Sequence, residues 1–284
     1  MLIGKNRLQV IENIKNAVQD EDFYRKVETD DPQLTAEQSK EITDTYISSR
    51  KKLSFKFKSF IARRIANIGS NVLNRETEII GMEKLPYALE GVLITSNHFG
   101  PLENTVIRYM VRKCGQKKLE VVSQVTNFAM DGFVGYLMKY GDTIPLSQDF
   151  RYLTRDFIDV LEEKMKARQT VLIYPEQEMW FNYRKPRPLK RGAYHFASKL
   201  NVPVISCFVE IMDTNQKENE DFFKTKYRLH ILDVLYPDPE KNVKQNSEEL
   251  CVKDYELKKA AYEQCYNKKL TYDFEDSDIA GRIR

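Results

Sequence analysis

The chain contains no run of 18 or more consecutive apolar residues, so no membrane-crossing helix is expected. Its first residues, MLIGKNRLQVIENIKNAVQDEDF, interrupt apolar side chains with charge and do not read as a signal peptide. Cysteine is scarce: Cys114, Cys207, Cys251 and Cys265 are the four, and no CxxC pair occurs. That argues against a disulfide framework and for a reduced, cytoplasmic chain. The formal net charge is only +3, too small a bias to indicate nucleic acid. A GxSxG elbow is missing, which disfavours a serine hydrolase. Neither GxGxxG nor GxxxxGK[ST] is present, which disfavours a nucleotide-binding fold. No internal repeat or low-complexity tract is seen.

What is present is an alternation of short apolar runs with amphipathic stretches. The 284 residues suffice for one large domain, or one domain with an appendage, and for a sizeable core. Residues 77–80, 119–123, 142–146, 170–174, 202–211 and 227–235 read as strands, with a further strand at Val92-Leu93-Ile94. Residues 104–112, 133–140, 150–166, 192–200 and 246–269 read as helices, and the last fifteen residues as a frayed tail. The pattern predicts an α/β fold, a mixed central sheet flanked by helices, over residues 76–284. Residues 1–75 are predicted to form an N-terminal helical appendage. Its first helix, within 6–28, is broken at residues 29–32, and Thr35-Ala36-Glu37-Gln38 opens a second with a capping-box pattern.

Residues 51–75 form a distinct stretch. Leu53, Phe57, Phe60, Ile61, Ile65 and Ile68 share one helical face, with Lys51, Lys52, Lys56, Lys58, Arg63 and Arg64 beside it. Aromatic and aliphatic residues flanked by cations suit a helix lying in a bilayer interface. The competing reading is an ordinary helix packed on the core with a solvated basic face.

The chain is organised around GVLITSNHFGPLE, residues 91–103. A buried strand runs into Thr95-Ser96-Asn97-His98, Gly100-Pro101 turns the chain, and Pro101 suits the first position of a new helix. Glu103 follows about one helical turn later. A carboxylate there can hold one imidazole nitrogen as N–H and leave the other free to accept a proton. That is the equipment of a general base. With 3 His and 42 acidic residues in the chain, about 0.4 such His-x4-acid spacings are expected by chance. Position at a strand end, beside Asn97 and Gly100, is therefore the stronger signal. The competing reading is a structural His that caps the helix. A zinc site through His98 and Glu103 lacks nearby third and fourth ligands, so no metal is expected there.

A second constellation follows the strand at 170–174. Pro175-Glu176 stops that strand, and NYRKPRPLKRG comes soon after. Arg184, Lys185, Arg187, Lys190 and Arg191 are five cations in eight residues. At the edge where α/β sheets place ligands they can bind phosphate. Their bland reading is a solvated basic loop.

Four blocks in order make residues 76–237 resemble the glycerolipid acyltransferases of the lysophosphatidic acid acyltransferase type. Asn97-His98 through Glu103 looks like the family's NHxxxxD block, with Glu for Asp. Gly141-Asp142-Thr143-Ile144 is similar to the second block, which reads like GxxFIxR. Tyr174-Pro175-Glu176 looks like the FPEGTRS block, and Val202-Pro203-Val204-Ile205 like a late VPI(V) block. Gly81-Met82-Glu83-Lys84-Leu85-Pro86 resembles the approach to the first block. Two departures stand out. Ile144-Pro145-Leu146-Ser147 lacks the Arg that ends the second block, and Gln177-Glu178-Met179 replaces the Gly-Thr-Arg of the third.

The resemblance implies an O-acyltransferase of phospholipid biosynthesis. It would move an acyl group from CoA or acyl carrier protein to a hydroxyl of a lysophospholipid or related amphiphile. It implies His98 as general base, Glu103 as its orienting partner, and Asn97 and Glu176 among the substrate-binding residues. Neither a covalent intermediate nor a cofactor is implied. Membrane lipids and the acyl donor are the expected partners, with the protein peripheral to the inner face of the membrane. The missing arginines leave phosphate binding to the run from Arg184 to Arg191, or point to another acceptor such as a glycolipid. A catalytically silent lipid-binding relative is the reading from another class.

Overall fold

The computed structural model describes residues 6–29, 32–86 and 89–283. Asp30 and Asp31, within the expected helix break at 29–32, lie outside the described residues. Among the described residues seven strands form one sheet in the order β1-β7-β6-β2-β5-β3-β4. They are β1 (Glu78–Ile80), β2 (Leu93–Thr95), β3 (Leu119–Gln124), β4 (Thr143–Leu146), β5 (Thr170–Ile173), β6 (Val204–Lys217) and β7 (Phe223–Leu235). All neighbours pair parallel except β6 and β7, which form an antiparallel hairpin. The sheet is therefore mixed, as the alternation of elements implies.

Among the described residues eight helices flank the sheet: α1 (Arg7–Gln19), α2 (Ala36–Ser49), α3 (Leu53–Leu73), α4 (Asn104–Lys113), α5 (Gly132–Tyr140), α6 (Phe157–Lys166), α7 (Gly192–Leu200) and α8 (Val243–Tyr266). A π-helical turn at Tyr152–Asp156 leads into α6. β2 lies at the sheet centre, and both its faces are covered. Leu93 packs in a cluster with Phe157, Val160 and Ala197. Ile94, pointing the other way, packs with Val106, Ile107 and Met110 of α4. Burial on both faces is why this strand reads as a continuous apolar run and not as an alternation.

Among the described residues, α1 and α2 share apolar clusters with the rest of the chain. Val10, Ile11, Ile14 and Val18 of α1 pack with Trp180, Phe181, Phe222 and Ile279. α2 opens with the expected box, in which Thr35 and Gln38 bond each other's backbone N–H groups. It buries Tyr46 in the cluster that holds Phe128 and Val160. Apolar clusters thus run across position 75.

α3 is turned the other way round from a core helix. Its buried positions are Ser59, Ala62, Asn67 and Ser70. Its large apolar side chains face outward: Leu53 is 83% exposed, Phe57 66% and Ile68 64%. Small and polar groups hold it down. Asn67 Nδ2 donates to Lys117 O at 3.2 Å, and Arg63 makes a two-pronged bond to Asp142 at 2.6 and 2.8 Å.

Several boundaries differ from the sequence expectation. Pro101 sits in a turn and not at the first position of a helix, while α4 starts at Asn104 as expected. β6 runs on to Lys217 because its hairpin with β7 continues past the core. The expected frayed tail is instead packed over its described residues, 270–283. Ile279 and Ala280 are buried, and isolated bridges join Tyr183 to Ile279 and Phe222 to Arg282. Lys185 Nζ lies 2.8 Å from the Asp278 carboxylate, and both side chains are shut away from water. Removing one partner of a buried ion pair costs about 3–5 kcal/mol. Asp278→Asn is therefore expected to lower the free energy of unfolding by about that amount, measured by urea denaturation. A loss under ~1 kcal/mol would class the pair with exposed ones and return the tail to a loose role.

Candidate active site

The C-terminal ends of β2 and β5 lie side by side, with Thr95 paired to Ile173. Three residues beyond each stand His98 and Glu176, so the two sequence constellations meet at one sheet edge. That is the edge where open α/β sheets place their ligands.

His98 Nδ1 bonds Glu103 Oε1. The other carboxylate oxygen, Oε2, accepts the backbone N–H groups of Phe99 and, at 2.7 Å, of Gly100. Glu103 is buried, while His98 keeps 21% of its side chain exposed. The carboxylate is thus fixed by the same turn whose imidazole it orients. With Nδ1 committed to Glu103, Nε2 is the nitrogen left to take a proton. The imidazole stacks on Tyr174, with ring centres 4.2 Å apart and planes 9° from parallel. Burial, followed by the Glu103 charge, pushes the Tyr174 phenol well above its ordinary range.

Glu176 touches the site through the backbone. Its Oε2 accepts the His98 N–H at 3.1 Å, and its Oε1 accepts the Arg187 N–H at 3.1 Å. Arg187 Nη2 closes the pair at 3.1 Å, with both side chains buried. Trp180 N–H donates to His98 O, and Asn182 N–H to Phe99 O, at 3.1 and 2.8 Å. The loop after β5 therefore holds His98 by both its backbone groups. Gln177 adopts φ 67°, a left-handed conformation that favours glycine. It stands where the similar family block carries Gly.

Asn97 is placed differently from its expected role in substrate binding. Its Nδ2 donates to Val209 O at 3.0 Å and its Oδ1 accepts Val209 N–H at 2.8 Å. The buried amide extends the β2–β6 ladder where β2 itself has ended.

The five cations each have a separate partner within the chain. Arg184 pairs with Asp213, Lys185 with Asp278, Arg187 with Glu176, and Arg191 with Glu248. Lys190 lies over the Tyr24 ring at 3.6 Å. Lys185 and Arg187 are fully buried. Most of these partners lie far off in sequence, which is why the run reads as one patch when only the local residues are seen. Tyr174 and the pair of Gln124 Nε2 with Glu178 Oε1, 2.6 Å apart, are site features that residue spacing did not bring out. The aromatic residue ahead of Pro175-Glu176 was the one available signal for the first. The positions of the two family arginines hold Ser147 and Met179.

The sequence model of the acyltransferase family matches residues 76–210, which include His98, Glu103 and Glu176. Those residues are an acyltransferase domain. The fold is similar to the crystal structure of the 1-acyl-sn-glycerophosphate (LPA) acyltransferase, PlsC, from Thermotoga maritima, with a TM-score of 0.52 and 18% identity. The likeness covers 82% of this chain and 95% of that one, and at this identity it is one of fold. No curated protein matches the chain. The acyltransferase domain holds all four blocks and most of the sheet, while α8 and the C-terminal tail complete its core from outside the matched residues.

His98→Ala is expected to lower turnover by about 10²–10⁴-fold, the usual worth of a positioned base, with the melting temperature kept. Glu103→Gln should cost less, because the amide still orients the ring and loses only the charge that favours imidazolium. Initial rates on the two folded variants check this. A His98→Ala protein near wild-type turnover, or a Glu103→Gln protein worse than it, would overturn the assignment.

Proposed function

We propose that the protein is an O-acyltransferase that carries a fatty acyl group from a CoA or acyl carrier protein thioester to a hydroxyl of a lysophospholipid or related amphiphile. The observation that carries this reading is the His98–Glu103 pair at the central sheet edge, within the acyltransferase domain. His98 Nε2 takes the acceptor's hydroxyl proton as its oxygen attacks the thioester carbonyl carbon. A C–O bond forms, the C–S bond breaks, and the thiolate leaves with the proton returned by the imidazolium. Glu103 favours the transient positive charge, and Glu176 keeps the His98 backbone in place.

The relative from Thermotoga maritima is named for a 1-acyl-sn-glycerophosphate acceptor. Such an acceptor is one reading for this chain. Ser147 and Met179 at the family's arginine positions favour a second, an acceptor hydroxyl without a phosphate beside it, such as a glycolipid.

The exposed apolar face of α3 supports work at a membrane surface. Among the described residues no helix is long and apolar enough to cross a bilayer. Leu53, Phe57, Phe60, Ile68 and Val72 are all at least half exposed, an unusual patch on a helix that is otherwise well packed. Lysines and arginines on the same helix add attraction to anionic lipid. A cavity of about 400 Å³ beside the first turn of α3, lined by Ile42, Tyr46, Phe55, Phe128 and Tyr140, offers room for hydrocarbon.

Thiol release from acyl-CoA on liposomes tests the reading. Release is expected to depend on added lysophosphatidic acid or lysoglycolipid, and acceptor-independent release would make the protein a thioesterase. Flotation is expected to strengthen with anionic lipid and weaken with salt. The double variant Phe57→Asp, Ile68→Asp should abolish flotation, and unchanged flotation would remove α3 from the membrane.

A further inference from the structure

Away from the catalytic edge, the sheet carries a second group of reactive side chains. Glu210 on β6, His230 on β7 and Cys265 in the last turn of α8 face one another. His230 Nε2 lies 2.9 Å from Glu210 Oε2 and 3.4 Å from Cys265 Sγ, and the three donor atoms all fall within 4.8 Å of one another. The strand alternation explains the meeting. Leu229 and Ile231 pack on the α4 side, so His230 points to the α8 side, as do Phe208 and Glu210 of β6.

We propose that Glu210, His230 and Cys265 form a binding site for a borderline-soft divalent cation of the zinc type. Zinc bonds of about 2.0–2.3 Å to O, N and S place tetrahedral ligands about 3.3–3.7 Å apart. The Cys265–His230 separation already fits, and the Glu210–His230 separation needs only a small expansion. Three protein donors of mixed type leave one position for water. The donor set is also selective. Thiolate and imidazole disfavour magnesium and calcium, which want oxygen.

One neighbour competes. Arg228 Nη1 lies 3.2 Å from the same Glu210 oxygen, but its Nε is held by Glu78 Oε2 at 2.7 Å. Glu78 keeps the guanidinium satisfied when Glu210 turns to a cation. Burial, with the nearby Glu210 charge, pushes the Cys265 thiol up to about 12. The surroundings of His98 are expected to hold no metal. This site lies elsewhere and leaves the proposed acyl transfer free of metal steps.

The site has a mechanical consequence. It would tie the end of α8 to the β6–β7 hairpin at the strand position next to Val209, which holds Asn97. Tyr266, the next residue after Cys265, already makes the same joint by accepting Ile211 N–H at 2.8 Å.

Cobalt(II) titration of the full chain tests the site, since cobalt bound to thiolate gives a near-ultraviolet charge-transfer band. One equivalent is expected to produce the band, and zinc to displace it. Cys265→Ser should remove the band, and His230→Gln should weaken binding by roughly 100-fold or more, beyond the ~10–100-fold cost of losing an outer partner. Zinc should raise the melting temperature of the wild type and not of Cys265→Ser. The control Cys251→Ser should keep both effects. Absence of a band in the folded wild type, or a band unchanged in Cys265→Ser, overturns the proposal.

Discussion

The buried ion pair of Arg187 with Glu176 holds the proposed active site together. Both side chains are out of water, where an unpaired charge would be severely penalised. Burial pulls the guanidinium below its ordinary range, and the Glu176 charge opposes that. The pair is repaid in hydrogen bonds. Arg187 also donates to Phe23 O and Glu178 O and lies over the Trp180 ring. Trp180 in turn donates from its indole to Arg25 O and from its backbone to His98 O. One guanidinium thus joins the segment after α1, the loop after β5 and the histidine turn. This is why α1 shares a core with the acyltransferase domain.

A second polar knot fixes the same turn from beneath. Asp254 of α8 accepts from Thr95 Oγ1 at 2.6 Å and from Tyr194, Ser206 and Lys258. Lys258 Nζ also donates to Thr95 Oγ1 at 3.0 Å. All five side chains are buried, and both carboxylate oxygens are used. A fully satisfied network of this kind rigidifies what it touches. Thr95 ends β2, so the strand that presents His98 is held by α7, α8 and β6 at its tip. With Asn97 bonded to Val209, little of the His98 turn is left to move except the imidazole's outer edge.

The sheet and its helices were legible because their signals are local and periodic. Val92-Leu93-Ile94 and the 170–174 run each announce a strand covered on both faces. His98 and Glu103 were legible because their partnership closes within a single turn. What could not be read was every role set by a distant partner. Arg187 and Lys185 look like members of a solvated basic run until Glu176 and Asp278 are seen beside them. Asn97 looks free to bind substrate until Val209 occupies its amide. The tail has no periodicity, yet Tyr183 and Phe222 bridge to it. Conversely, the apolar stripe on α3 follows a helical period that core helices share. Which side of that helix is covered depends on Ser59, Ala62 and Ser70, whose small size lets α4 and α5 pack closely.

The central claim is that Glu103 fixes the His98 tautomer so that Nε2 faces the substrate as a base. Nitrogen-15 NMR of the imidazole reads this directly. In the neutral wild type, Nδ1 is expected to show the shift of a protonated nitrogen and Nε2 that of a bare one. In Glu103→Gln the two shifts should move toward each other as the preference weakens. A wild-type ring protonated at Nε2, or shifts unaffected by Glu103→Gln, would contradict the account.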